Sequence, residues 1–292
     1  MHIEASSYSL IYNALRNEFL NESMTVNPRG QKTKEILNAT ITIRNPRKRL
    51  AFHKDRKYNL YFNIAELLTI IGNINLVKFL NHFNKNVSQF SDNGISFYGA
   101  YGPRLNTQWF DLVKKLREDK DTRQAIMTIY DGKMDLSQKT KDMPCTLNFH
   151  FMIRNDKLNL TTYMRSNDLF WGFQYDIFNF TMIQEMILNE LKMYMPELEL
   201  GTYTHTTTSL HVYKRHFNLL ENLYDMEEVE MPQMNYLYYD YVKMIIETLD
   251  IIEDKKIENI EEKTSFLKIL NYYNYKEKYN ELPEWSKKFI KK

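Results

Sequence analysis

Three features of this 292-residue sequence predict a mixed α+β fold. Leu147, Phe149, Phe151 and Ile153 alternate with polar residues, Asn155-Asp156 interrupts, and Leu158, Leu160, Thr162 and Met164 alternate again. That is the signature of a β-hairpin over 146–165. Ile177, Phe180, Ile183, Met186, Ile187 and Leu191 then recur at helical spacing, a central core helix over 177–194. Charged amphipathic segments, roughly 235–253 and 257–271, close the chain and end in the basic pair Lys291-Lys292. Strands and helices follow one another irregularly, so a mixed sheet with packed helices is expected rather than a regular βαβ array.

The remaining elements follow in order. Tyr8, Ile11, Tyr12, Leu15 and Phe19 form a helical stripe over 5–20, and Asn27-Pro28-Arg29-Gly30 reads as a turn. Leu37, Ala39, Ile41 and Ile43 alternate as a strand over 36–43. Two helices, 60–71 and 76–83, flank Gly72-Asn73, and the glycine- and aromatic-rich stretch 94–105 reads as a loop. A helix at 109–116, a short strand at 124–130 and a Thr- and Tyr-rich strand at 202–213 complete the outline. No internal repeat is present. Residues 1–220 are expected to form one domain, with 221–292 a helical extension packed on it.

Composition narrows the function classes. The chain is 43% hydrophobic and 26% charged, an ordinary globular balance. Thirty-nine basic against 37 acidic side chains leave a net charge of +2, with no basic stripe, which speaks against direct nucleic-acid binding. One cysteine excludes an internal disulfide, and with seven scattered histidines it predicts no metal site. No apolar run is long enough for a membrane span, and MHIEASSYSL lacks the pattern of a signal peptide. A soluble protein of a reducing, cytoplasmic compartment is expected.

The chemistry gathers around Cys145. A lone cysteine is more often an inert buried side chain than a nucleophile. Its neighbours change that reading: the hairpin returns the chain to Arg165-Ser166-Asn167-Asp168, so the two outer strand ends adjoin. An arginine beside a cysteine stabilises its thiolate, and Arg with Ser can grip a phosphate.

Here the sequence resembles the thymidylate synthase superfamily. Pro144-Cys145, Arg165-Ser166-x-Asp168, Phe170-x-Gly172-x-x-Tyr175-Asp176-Ile177 and His211-x-Tyr213 carry the resemblance. Upstream, Asn27-Pro28-Arg29, Ala65-Glu66-Leu67-Leu68, Tyr98-Gly99-x-Tyr101-Gly102 and Thr122-Arg123-Gln124 stand in the same order. The resemblance implies a mixed-sheet α+β domain that dimerises sheet to sheet and shares its active sites between subunits. It implies transfer of a one-carbon unit from the co-substrate 5,10-methylenetetrahydrofolate to C5 of a pyrimidine nucleoside monophosphate. Cys145 is the implied nucleophile at C6; Arg29, Arg165 and Ser166, with Arg123 of the partner subunit, are the implied phosphate clamp. His211 and Tyr213 are matched to the sugar hydroxyl, Tyr101 to the substrate, and Glu66 to the proton relay near the base. Asp168, Gly172 and Tyr175 are implied at the pteridine. Read alone, His211 and Tyr213 would be half-buried strand residues, Glu66 an exposed or ion-paired one, and Trp171 and Phe173 packing.

Departures from the family pattern choose the substrate. Asp176 stands where the synthases have Asn. A carboxylate accepts from the cytosine 4-amino group, whereas an amide suits uracil. Phe90, in Asn86-Val87-Ser88-Gln89-Phe90, replaces the tryptophan that shields the exocyclic methylene, so water can compete with hydride transfer. Thr146 and Gln124 replace a histidine and a second arginine, and the family's C-terminal closing peptide is not recognisable in 285–292. The expectation is a deoxycytidylate 5-hydroxymethyltransferase of phage type, acting in the host cytoplasm and supplying modified nucleotides for DNA. Thymidylate synthase and a dUMP or CMP hydroxymethylase are the alternatives within the superfamily. A lapsed nucleotide-binding homologue is the alternative outside catalysis; retention of Cys145, Glu66 and the phosphate arginines together speaks against it.

Overall fold

The computed structural model describes residues 1–255, 257 and 259–290. The terminal pair Lys291-Lys292 lies outside the described residues, as does part of the predicted 257–271 helix. In chain order the first elements are β1 His2–Ala5, α1 Tyr8–Asn21, β2 Met24–Val26, β3 Thr33–Ile43 and β4 Leu50–Phe52. Next come α2 Leu60–Ile71, α3 Val77–Phe83, α4 Tyr101–Leu105, α5 Trp109–Glu118, β5 Ile126–Thr128 and α6 Gly132–Asp135. The hairpin is β6 Thr146–Arg154 and β7 Lys157–Met164, followed by β8 Asn167–Asp168, α7 Gln174–Lys192 and β9 Glu199–Tyr213. The chain closes with α8 Phe217–Asn222, β10 Glu227–Val229, α9 Tyr238–Ile252, α10 Ser265–Tyr275 and α11 Glu284–Lys287. The fold is α+β, built on a mixed sheet.

Two compact units are present. The first comprises residues 1–57, 111–130 and 145–234; the second comprises 58–110, 131–144 and 235–292. Residue 220 lies inside the first unit, whose last segment runs to 234. The first unit holds the main sheet, in the order β1-β3-β9-β7-β6-β5, with β2 also on β3 and β8 also on β9. β9 runs parallel to β7 and antiparallel to β3, so the sheet is mixed. At the hairpin turn Asn155 and Asp156 both have positive φ, 51° and 53°. That is the two-residue turn whose twist matches paired strands, and Asn and Asp tolerate it.

Period-two alternation gives β9 two faces: Tyr203, His205 and Thr207 are buried, while Thr202, Thr204 and Thr206 are only half-buried. On that second face Thr206 and Thr204 meet Thr40 and Thr42 of β3 at 3.4 and 3.2 Å. The buried face packs on α7, a helix buried along most of its length although it carries polar side chains such as Asn179, Gln184 and Glu185. Phe180 of α7 meets Phe149 of β6 edge-on at 4.8 Å. Glu185, the one charge buried in α7, is held by Arg49 at 2.6 Å and Arg47 at 2.8 Å. A buried carboxylate persists only when paired in this way.

The second unit is helical. Gly72 ends α2, and a Cβ there would stand 2.2 Å from an Ile245 carbon, so glycine is what lets α9 lie against α2. Gly102 does the same for α4: its Cβ would meet the Thr69 carbonyl at 2.3 Å. The stretch 94–105 therefore ends in a helical turn where a loop was expected, because its glycines serve close approach and not only chain reversal. α10 begins at Ser265 rather than near 257. Thr264 caps it by accepting from the Leu267 N–H at 3.4 Å. The tyrosines of the tail pack as expected: Tyr273 meets Tyr61 at 5.0 Å and Phe83 at 5.2 Å.

Candidate active site

One end of the main sheet collects most of the residues picked out in the sequence. The register explains why. Thr146 pairs with Met164, Asp168 pairs with His211, and Thr33 pairs with Tyr213. The start of β6, the ends of β7 and β9, and the start of β3 thus share one edge of the first unit. Cys145 and Arg165 flank the hairpin's open end, where the Arg165 N–H donates to the Cys145 carbonyl at 2.9 Å. Arg165 Nη2 lies 3.5 Å from Cys145 Sγ, and the cysteine is half-buried. A guanidinium beside a thiol favours the thiolate, the nucleophilic form.

Arg29 sits in a left-handed conformation, φ 50°, in the turn before β3, exposed at the same end as Tyr213. Lys214 N donates to the Lys32 carbonyl at 2.9 Å, which ties that turn to the end of β9. Ser166 is half-buried beside Arg165. Arg123 is elsewhere. Its carbonyl accepts from or faces His150 Nε2 at 3.1 Å, four strand positions along β6 from Thr146. That is about 14 Å from the cysteine end, so Arg123 does not join the cluster of its own chain.

His211 is 9% exposed, and burial holds its pKa below the ordinary histidine value while Asp168 opposes that shift. A neutral imidazole at pH 7 can accept from or donate to a sugar hydroxyl. Its ring meets Tyr213 edge-on at 5.0 Å. Asp168 caps the turn leading into α7: Oδ1 accepts from Phe170 N at 2.7 Å and Trp171 N at 3.2 Å. Its Oδ2 is buried without a protein donor, an acceptor left over for a ligand N–H. Nearby, Trp171 Nε1 donates to His216 Nε2 at 2.8 Å, and the Arg215 guanidinium lies over Tyr213 at 4.5 Å and Trp171 at 5.5 Å.

Gly172 and Asp176 share one cradle. A Cβ on Gly172 would stand 2.5 Å from Asn167 Oδ1 and 3.4 Å from Asp176 Oδ2. Asn167 Nδ2 donates to Asp176 Oδ2 at 3.0 Å. Tyr175 is half-buried one residue earlier in the first turn of α7. Glu66, in the middle of α2, Tyr101, which opens α4, and the exposed Phe90 belong to the second unit. Among the described residues no group of three or more His, Cys, Asp or Glu side chains is arranged to hold a metal.

Sequence reasoning passed over Asn167, Tyr203 and His205. Asn167 stands inside the Arg165-Ser166-Asn167-Asp168 motif, and His205 is one alternation step from Tyr203 on the buried face of β9. The available signal was the alternation of β9, which sets Tyr203 and His205 on one face, and a buried histidine or amide demands a partner.

Known proteins resemble this chain over most of its length. A family profile described as Thymidylate synthase matches residues 10–266. Over 220 residues the chain is 38% identical to a deoxyuridylate hydroxymethyltransferase of Bacillus phage SP01, covering 70% of this chain and 56% of that protein. A protein of the same name from Pseudomonas phage M6 is 30% identical over 194 residues, 64% of this chain and 54% of its own length. A thymidylate synthase of Mycoplasma mobile is 25% identical over 173 residues, 56% of this chain and 54% of its own. The chain thus matches little more than half the length of these relatives. The profile match covers most of the sequence, and the chain belongs to the thymidylate synthase family.

Proposed function

We propose that this protein transfers a one-carbon unit from 5,10-methylenetetrahydrofolate to C5 of dCMP and adds water, giving 5-hydroxymethyl-dCMP and tetrahydrofolate. The observation that carries the reading is the Arg165–Cys145 contact at 3.5 Å, at the sheet end that also bears Ser166, Asp168, His211 and Tyr213. C5 of a pyrimidine is a poor nucleophile. Addition of the Cys145 thiolate to C6 makes the base an enamine that attacks through C5. The folate supplies the one-carbon unit. Its pteridine presents N–H donors, and the leftover acceptor at Asp168 Oδ2 suits them. Loss of the C5 proton to solvent expels the folate as tetrahydrofolate and leaves an exocyclic methylene; water adds to that methylene, and expulsion of Cys145 from C6 restores the ring.

Arg29 and Arg165 suit the phosphate because their planar forks bind its oxygens in pairs. The position of Arg123 far from its own Cys145 supports a homodimer in which Arg123 of the partner subunit completes the clamp. Glu66 organises water and protons near the C4 substituent, Tyr101 contacts the nucleotide, and Phe90 leaves room for the water that replaces hydride transfer.

Asp176 favours cytosine. A second reading, dUMP as substrate, is favoured by the phage relatives, whose names specify deoxyuridylate. Incubation with methylenetetrahydrofolate and dCMP, CMP or dUMP, followed by mass spectrometry, separates the readings. A product heavier than dCMP by CH2O is expected. Turnover of dUMP alone would replace the base, and a product heavier by CH2 would replace the hydroxymethyl outcome.

A further inference from the structure

Behind Asp176 lies a buried polar chain that none of the roles above uses. Asn167 is 3% exposed, and His205 and Tyr203 are fully buried. Asn167 Nδ2 lies 3.0 Å from Asp176 Oδ2 and 3.1 Å from His205 Nε2, with Met164 Sδ also at 3.1 Å. His205 Nδ1 lies 2.9 Å from Tyr203 Oη. Phe173 closes the ring's other side, edge-on at 5.1 Å.

These distances fix who donates. Turning the Asn167 amide over would set its oxygen against the Asp176 carboxylate, two acceptors at hydrogen-bond distance. The nitrogen therefore faces Asp176, and Asn167 Oδ1 points to the space that Gly172 leaves by lacking a Cβ. With an N–H donor on that side, His205 Nε2 must accept, so the ring proton sits on Nδ1 and is donated to Tyr203 Oη. A protonated ring would press N–H against N–H. Burial prevents this, lowering the His205 pKa to about 3 and leaving the ring neutral.

We infer that Tyr203, His205 and Asn167 form a positioning relay that presents Asp176 to the base as an ionised, acceptor-only carboxylate. The inference rests on the reading that Asp176 faces the C4 substituent of the pyrimidine. A donor on a carboxylate stabilises its charged form. A charged Asp176 accepts from the cytosine amino group and opposes the uracil carbonyl, acceptor against acceptor. The relay thereby converts burial of a histidine into discrimination between bases, and a fully connected buried network is stiff enough to hold it.

The test compares wild type, His205→Phe, His205→Gln and Asn167→Asp, all checked for folding by thermal unfolding. The readout is the ratio of kcat/KM for dCMP to that for dUMP at saturating methylenetetrahydrofolate, with the ratio of Kd values by calorimetry as a parallel measure. His205→Phe keeps the ring's shape and removes the acceptor; the ratio should move about tenfold away from dCMP, one neutral hydrogen bond's worth. His205→Gln restores an acceptor and a donor and should keep the ratio within about twofold. Asn167→Asp sets two carboxylates to share a proton and should move the ratio in the same direction as His205→Phe. An unchanged ratio in folded His205→Phe or Asn167→Asp overturns the relay. If wild type prefers dUMP, the cytosine reading fails, while a shift of the ratio in the variants still supports the relay.

Discussion

Asp176→Asn is the substitution with the most to say about the substrate. The perturbation is one atom, an oxygen exchanged for an NH2. Asn167 Nδ2 donates to Asp176 Oδ2 at 3.0 Å and cannot turn over while His205 and Gly172 hold it. The new amide must therefore offer its oxygen to Asn167, which directs its NH2 group to the base. Cytosine then meets a donor with its own amino donor. A repelled or unpaired buried polar group costs roughly 1–3 kcal/mol, or about 5- to 150-fold in kcat/KM. Uracil gains the hydrogen bond that cytosine loses. The phosphate and folate contacts are untouched, so turnover as such should survive. The assay is competition between dCMP and dUMP at fixed methylenetetrahydrofolate, with both products resolved by mass spectrometry. Preference should move from dCMP towards dUMP. A wild type that already prefers dUMP, or a variant with the same product ratio, refutes the reasoning.

Further predictions follow from the same geometry. Cys145→Ala should abolish turnover yet bind dCMP with little loss in calorimetry, since the phosphate-binding arginines remain; appreciable residual turnover would exclude the thiolate mechanism. Mixing Arg123→Ala with Cys145→Ala subunits should restore up to about a quarter of the sites by random pairing, because one site of each mixed dimer is intact. No recovery after demonstrated subunit exchange would remove the shared site. His205 should make the fold acid-sensitive. Burial holds its folded pKa at about 3, below the ordinary histidine value of 6.5, so the unfolded chain binds the extra proton. That contribution is complete above pH 6.5 and is lost as pH falls towards 3, by up to about 1.4 kcal/mol per pH unit. Urea unfolding at pH 7.5 and 4.5 should show a smaller difference for His205→Gln than for wild type; equal differences would mean that His205 is not buried neutral.

The elements that depend on local pattern were legible in the chain itself. The helix at 60–71 has its expected bounds, and the hairpin lies within 146–165 because alternation and an Asn-Asp turn state both strands and their register. That register holds from the turn as far as Asn148 and Tyr163; a bulge between Thr146 and Asn148 then shifts the pairing by one residue, and this shift, which the alternation does not state, sets Arg165 against Cys145. Segments lacking a strong period were harder to read: the charged run before Ser265 is not part of α10, and within 94–105 Gly102 serves close packing against α2. The polar chain that ends at Asp176 divides in the same way. Asp176 is a one-letter difference that a sequence displays, whereas its partner Asn167 is nine residues away and His205 a further 38, on another strand. The parallel pairing of β7 and β8 with β9, and the turn into α7, bring these together. A hydrogen bond requires donor and acceptor within about 3 Å, and for residues far apart along the chain that proximity is decided by sheet order and the packing of α7, not by any short stretch of sequence.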